Sequence, residues 1–148
     1  MLHQLNTEIA INAPVQCVWQ LLMDFQNYNQ WNPFIRQIEG DPWVNGNLRV
    51  TIQHTVHRQT SFKAKVLSCR ENQELSWQGK FLFRGLFDGL HQFKLEAIAD
   101  NATIFKQSEQ FSGLLVKYFI EELEGITEQN FARMNLALKD KAEAIAAR

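Results

Sequence analysis

The stretch GLHQFKLEAIADNATIFKQSEQFS, residues 89–112, alternates on both sides of a polar break. His91, Phe93, Leu95 and Ala97 take every second position, Asp100-Asn101 interrupts them, and Thr103, Phe105, Gln107, Glu109 and Phe111 resume the alternation. A period of two sends alternate side chains to one face of a strand, and Asp-Asn suits the turn between two such strands. The segment predicts an antiparallel pair with one mostly apolar face. His91, Gln107 and Glu109 are the polar members of that face.

Upstream the same period recurs. Leu48, Val50, Ile52 and His54 alternate after Asn45-Gly46, a hairpin signal, and Gly40-Asp41-Pro42 breaks the chain before them. Phe62, Ala64 and Val66 alternate next, then a polar turn at Cys69 to Gln73, then Leu75, Trp77 and Gly79. At the start, Leu5, Thr7, Ile9 and Ile11 form a first strand. Between these runs the period becomes helical: Pro14 suits a first turn, and Val15, Val18, Trp19 and Leu22 share one stripe, giving a helix over residues 14–24. The segment FQNYNQWNP, residues 25–33, is expected to form a helical turn or second short helix that closes on Pro33.

After Gly113 the helical period returns. Leu115, Phe119, Leu123 and Ile126 make one turn set, and Phe131, Met134, Asn135, Leu138 and Ala142 form the stripe of a long final helix, with Gly125 placed to bend or loosen the join. The order is strand, two short helices, a meander of five or six strands, and a long C-terminal helix. This is an α+β arrangement, and the last helix is the only element long enough to cover the inner face of the sheet.

The 148 residues suit one domain spanning 1–148, able to bury roughly 68–70% of its unfolded surface. No repeat or linker divides it. The load of eleven Phe, four Trp and two Tyr either fills a core or lines a space. A formal net charge of −1, with the cations spread between acids, argues against nucleic acid as partner. Cys17 and Cys69 have no CxxC or paired-His setting and are expected as buried reduced thiols. The start MLHQLNTEIAINAP lacks the pattern of a signal peptide, and no run approaches the ~20 apolar residues of a membrane span, so a cytoplasmic location is expected. There is no GxSxG, Walker loop, GxGxxG or HExxH, so neither a metal nor an organic cofactor is expected.

Four segments together resemble a known family: Asn12-Ala13-Pro14, Trp31-Asn32-Pro33-Phe34, Gly89-Leu90-His91-Gln92-Phe93, and Glu109-Gln110-Phe111-Ser112-Gly113-Leu114-Leu115. In this order of elements they resemble the START-like, or SRPBCC, superfamily, and within it the polyketide cyclase/dehydrase-like branch. The resemblance spans essentially the whole chain. It implies a helix-grip fold, a curved antiparallel sheet wrapped around the C-terminal helix, with a cavity between sheet and helix for an apolar small molecule. The same fold serves carriers, receptors and cyclases, so it constrains the ligand class more than the reaction.

Within that frame Trp31, Phe34, Trp77, Phe87, Phe93, Phe105 and Gln107 are candidate ligand-binding residues, although a core aromatic gives the same sequence signal. Glu109 and His91 are candidate acid/base residues, or else a structural or ligand-orienting pair, or face away from the cavity where a β-bulge reverses the alternation. A carboxyl in a cavity would have its pKa raised unless a cation or several donors met it. Leu86 and Phe87, flanked by Gly85 and Gly89, read as a lid or as ordinary loop packing, and Asp88 as a turn residue beside them. His54 and His57 are expected at the surface. Three functions follow: binding of a hydrophobic or aromatic ligand, lipid-like or polyketide-like; cofactor-free cyclase or dehydratase chemistry on such a ligand; and, third, protein docking, which the polar Lys139, Asp140, Lys141 and Glu143 of the final helix disfavour. The oligomeric state is left open.

Overall fold

The two halves of residues 89–112 form neighbouring strands, Phe87–Ala99 and Ala102–Ser112, in a computed structural model that describes residues 2–81 and 87–148, the side chains of residues 81 and 87 excepted. In chain order the elements begin with β1 (Leu2–Ile11), α1 (Val15–Met23), a 3-10 turn (Phe25–Asn27) and α2 (Tyr28–Trp31). Six strands follow: β2 (Ile35–Gly40), β3 (Asn47–Thr55), β4 (Arg58–Arg70), β5 (Glu74–Phe81), β6 (Phe87–Ala99) and β7 (Ala102–Ser112). A 3-10 turn (Val116–Tyr118), α3 (Ile120–Glu122) and a π-helical turn (Leu123–Thr127) lead into α4 (Glu128–Ala146).

All seven strands make one antiparallel sheet in the order β1-β7-β6-β5-β4-β3-β2. The meander thus runs back toward β1, and the pair α1 and α2 spans from one edge of the sheet to the other. Register shifts at Ile35/Gln37, Gln53/Thr55, Val66/Ser68 and Ala97/Ala99 interrupt the ladders. Bulges of this kind bend a strand and raise its twist, and they accompany the curvature of the sheet. Asn45-Gly46 closes the six-residue loop 41–46 rather than a two-residue hairpin: Asn45 takes a φ of 69°, and its N–H bonds the Val66 carbonyl at 2.9 Å. Asp88 lies inside β6 opposite Lys80 and Ser112, not in a turn.

The stripe expected on the last helix is the one that packs. Phe131, Met134, Asn135, Leu138 and Ala142 are buried against the sheet, each large apolar side chain contributing about 1.5–3 kcal/mol by leaving water. Polar contacts fix the helix along β1: Lys139 Nζ donates to the Ala10 carbonyl (2.9 Å), and Glu143 Oε2 accepts from the Asn12 N–H (2.9 Å). Cys17 and Cys69 are free but only half-buried, with burial pushing both thiols above their ordinary pKa. No helix among the described residues is long and apolar enough to cross a membrane.

The turn at residues 31–34 sets the entry to the sheet. Asn32 is fully buried, and its Oδ1 accepts from the N–H groups of Phe34 (2.9 Å) and Ile35 (2.8 Å), which Pro33 leaves without a helical partner. Replacing Asn32 by Ala strands two buried donors, so Asn32→Ala is expected to cost about 2–4 kcal/mol, read as a lowered midpoint in urea unfolding. An unchanged midpoint would remove this turn from the list of structural anchors.

Candidate functional site

Three residues stand in one row across the inner face of the sheet. Trp77 on β5 is opposite His91 on β6, which is opposite Glu109 on β7. Directly opposed residues of an antiparallel pair have their side chains within contact distance. Trp77 accordingly stacks on the His91 ring, centroids 4.9 Å apart and planes 8° from parallel, and His91 Nδ1 lies 2.8 Å from Glu109 Oε1. His91 Nε2 meets Gln107 Oε1 at 2.9 Å. His91 is buried, whereas the Glu109 side chain retains 12% of its exposure.

Next to this row the sheet carries Gly79 opposite Gly89. A Cβ at Gly89 would stand 2.3 Å from Glu109 Oε2, and one at Gly79 would stand 2.6 Å from the Phe62 ring. The missing side chains leave room for a carboxylate and an aromatic ring to lie across the sheet surface. Phe62 and Glu109, so placed, border the space above.

That space is a cavity of about 200 Å³. Phe34, Val50, Ile52, Phe62 and Phe111 are among its apolar walls, with Trp77, His91 and Glu109 as its floor. Its roof is the segment between β7 and α4, through Leu115, Phe119, Glu122, Leu123 and Thr127. The expectation of a cavity between sheet and C-terminal helix needs correction here: no residue of α4 lines it. The apolar stripe of α4 fills the concavity directly, and the gap opens only where the helix gives way to the looser turns that precede it. Gly125, flagged in the sequence, lies in the π-helical turn of that roof.

Four of the expected site residues line the cavity: His91, Glu109, Phe34 and Trp77. Phe93 and Phe105 do not. They are fully buried in the packed core, their rings 5.6 Å apart. Gln107 is buried behind His91, where it bonds the ring rather than a ligand. Trp31 packs on Tyr28 at 5.3 Å, away from the cavity. The lid expected at Leu86 and the side chain of Phe87 fall outside the described residues.

Sequence reasoning missed the mouth of the cavity, formed by His54, Arg58, Thr60 and Glu122. His54 is not at the surface but half-buried, its Nε2 2.6 Å from Thr60 Oγ1 and its carbonyl accepting from Asn130 Nδ2 (3.0 Å). The signal was present, since His54 continues the inward set Leu48, Val50 and Ile52. His57, two residues past the register shift, is exposed. Arg58 and Glu122 form an ion pair joining β4 to the roof. Among the described residues, no three His, Cys, Asp or Glu side chains converge in a way that would hold a metal ion.

A family model described as "Polyketide cyclase / dehydrase and lipid transport" matches residues 3–143. Among solved structures, the Zhui aromatase/cyclase from a Streptomyces species superposes with a TM-score of 0.80 at 13% identity, over 97% of this chain and 94% of that one. A START superfamily protein from Mycobacterium smegmatis gives 0.74 at 19% identity, over 97% and 99%. A point mutant of norcoclaurine synthase from Thalictrum flavum, in complex with a transition state analogue, gives 0.72 at 13% identity, over 98% and 96%. At such identities the likeness establishes the helix-grip fold. No curated protein matches the chain significantly.

Burial holds the His54 ring below the ordinary histidine pKa, and the Arg58 charge adds to this while Glu122 opposes it. A histidine depressed in the folded state favours folding above its unfolded value of about 6.5, and that contribution is lost as pH falls through the folded-state value. The thermal midpoint of the wild type is therefore expected to drop more between about pH 7 and pH 5 than that of His54→Asn. Parallel pH profiles for the two chains would show that His54 carries no such share.

Proposed function

We propose a role in binding a small hydrophobic or aromatic molecule for this chain, which belongs to the polyketide cyclase / dehydrase and lipid transport family. The observation that carries the reading is the composition of the cavity: apolar walls around the polar pair His91 and Glu109 on the floor, with further polar side chains among the described residues at the mouth. Binding pockets are built in this way, with apolar area for affinity and a few placed polar atoms for orientation. The volume of about 200 Å³ restricts the guest. An apolar cavity of about 150 Å³ accepts benzene, so a guest of one or two rings fits this space. The Arg58–Glu122 pair ties β4 to the roof beside this space.

A second reading, cofactor-free cyclase or dehydratase chemistry, is favoured by one specific observation. The polar pair is a carboxyl hydrogen-bonded to a titratable ring, which is the composition of a general acid/base. The apolar walls would hold a reactive chain folded near it. In this reading Glu109 touches the substrate, because both ring nitrogens of His91 are already engaged.

Calorimetric titration with naphthalene-type probes tests the binding reading. A dissociation constant in the micromolar range is expected, and Val50→Phe, which fills the cavity, is expected to weaken it at least about tenfold while the circular dichroism spectrum is retained. Absence of binding by one- and two-ring probes at millimolar concentration would overturn it. For the catalytic reading, Glu109→Gln is expected to lower turnover of a converted substrate by about 10²–10⁴ while probe binding persists. An unchanged rate would remove Glu109 from that role.

A further inference from the structure

The direction of a hydrogen-bond chain is set at its ends, and the chain behind His91 ends on backbone carbonyls, which only accept. Thr7 Oγ1 donates to the carbonyl oxygen of Gln107 at 2.8 Å, so its single proton is committed and Oγ1 is left to accept. Asn135 Nδ2 supplies the donor at 2.9 Å, which turns Asn135 Oδ1 toward Gln107. Gln107 Nε2 then donates to that oxygen at 2.8 Å and toward the Phe131 carbonyl at 3.5 Å. The reversed amide would set Oε1 against two acceptors. Gln107 Oε1 therefore faces His91 Nε2, and the ring carries its proton on that nitrogen. Gln107 is fully buried and Asn135 nearly so, which shields these two amides from solvent.

The consequence lies on the other side of the ring. With Nε2 protonated, the 2.8 Å contact between Nδ1 and Glu109 Oε1 contains one proton in the neutral pair. Either an imidazolium donates to a carboxylate, or a neutral ring accepts from a carboxylic acid. In both cases Glu109 Oε2 carries no hydrogen. A chain of the opposite sense would commit Nδ1–H to Oε1, and Oε2 would then stay an acceptor only while the carboxyl is ionised, since an acid proton could sit only on Oε2. The wiring behind His91 thus keeps Oε2 an acceptor whichever partner holds the shared proton.

Both ring nitrogens and Oε1 are engaged, and Trp77 covers one ring face. Oε2, lying over Gly89, is the polar atom of the pair left for a guest. Among the described residues, the other charged or titratable groups lining the cavity, His54, Arg58 and Glu122, are at the mouth and bond to Thr60 or to one another. We propose that Thr7, Asn135 and Gln107 are positioning residues that hold the His91 proton on Nε2 and keep Glu109 Oε2 an acceptor in either position of the shared proton, so that the cavity selects guests presenting a hydroxyl or N–H over those presenting only a carbonyl or carboxylate. The selectivity rests on the reading of the cavity as a ligand site; the wiring does not.

Two measurements separate these parts. Nitrogen-15 NMR of the ligand-free chain near neutral pH reads the ring directly. A proton on His91 Nε2 is expected in the wild type, and its loss from Nε2, with Nδ1 protonated, is expected in Gln107→Leu. A wild-type ring protonated on Nδ1 alone overturns the proposed wiring, and so does a folded Gln107→Leu chain whose ring keeps its proton on Nε2. Should that variant not fold, the wild-type spectrum still decides. The second arm compares 2-naphthol with 2-naphthaldehyde by calorimetry. The naphthol is expected to bind about tenfold more tightly, with the preference lost in Glu109→Leu. Equal or reversed affinities overturn the acceptor assignment, whereas failure of both probes to bind overturns the ligand reading of the cavity.

Discussion

A one-residue slip between β6 and β7 would turn His91, Phe93, Gln107 and Glu109 out of the sheet together, because side chains alternate faces with a period of two. The register that prevents it runs unbroken from Asp88 opposite Ser112 to Ala97 opposite Thr103. It is held by burial: Phe93, Leu95, Phe105 and Phe111 lose their shelter in any slipped pairing. The same pairing puts Glu109 opposite His91 and Gln107 diagonal to it, so the core aromatics of this hairpin are what keep the polar pair in place.

The cavity exists because two covering elements differ in regularity. Along α4 the apolar stripe repeats at helical spacing and fills the sheet's concave face. Before it, a 3-10 turn, three residues of α3 and a π-helical turn cannot present such a stripe, and the sheet beneath them carries Gly79 and Gly89 in place of bulk. Small residues below and an irregular roof above leave a space with apolar walls and the His91–Glu109 pair on its floor. The Arg58–Glu122 pair joins the roof to the hairpin of β3 and β4. An exposed ion pair of this kind contributes little to stability, so the roof is tied down weakly compared with the helix that follows it.

Much of this was legible beforehand because it depends on period alone. The alternation of Thr103, Phe105, Gln107, Glu109 and Phe111 placed all five on the inner face, and the spacing of Phe131, Met134, Asn135, Leu138 and Ala142 named the buried stripe of α4. Period does not say whether an inward side chain meets another side chain or empty space. Phe34 and Phe93 read alike in sequence, yet one lines the cavity and the other is sealed beneath the rings of Trp77, His91 and Phe105. His54 shows a different limit. Its strand pattern pointed inward, but its odd spacing from His57, with no acidic ligand nearby, favoured the surface, and the register shift at Gln53/Thr55 separates the two.

The sequence by itself determined the α+β order, the faces of the strands, the stripe of the final helix and the polar exceptions His91, Gln107 and Glu109, because hydrophobic periodicity encodes which side of an element leaves water. Only the tertiary structure decided where the cavity opens, which of those exceptions reach it, and that Thr7 and Asn135 stand behind them. Those outcomes depend on distances between residues far apart in the chain, such as Thr7 and Asn135 at 2.9 Å, and no local pattern carries a distance.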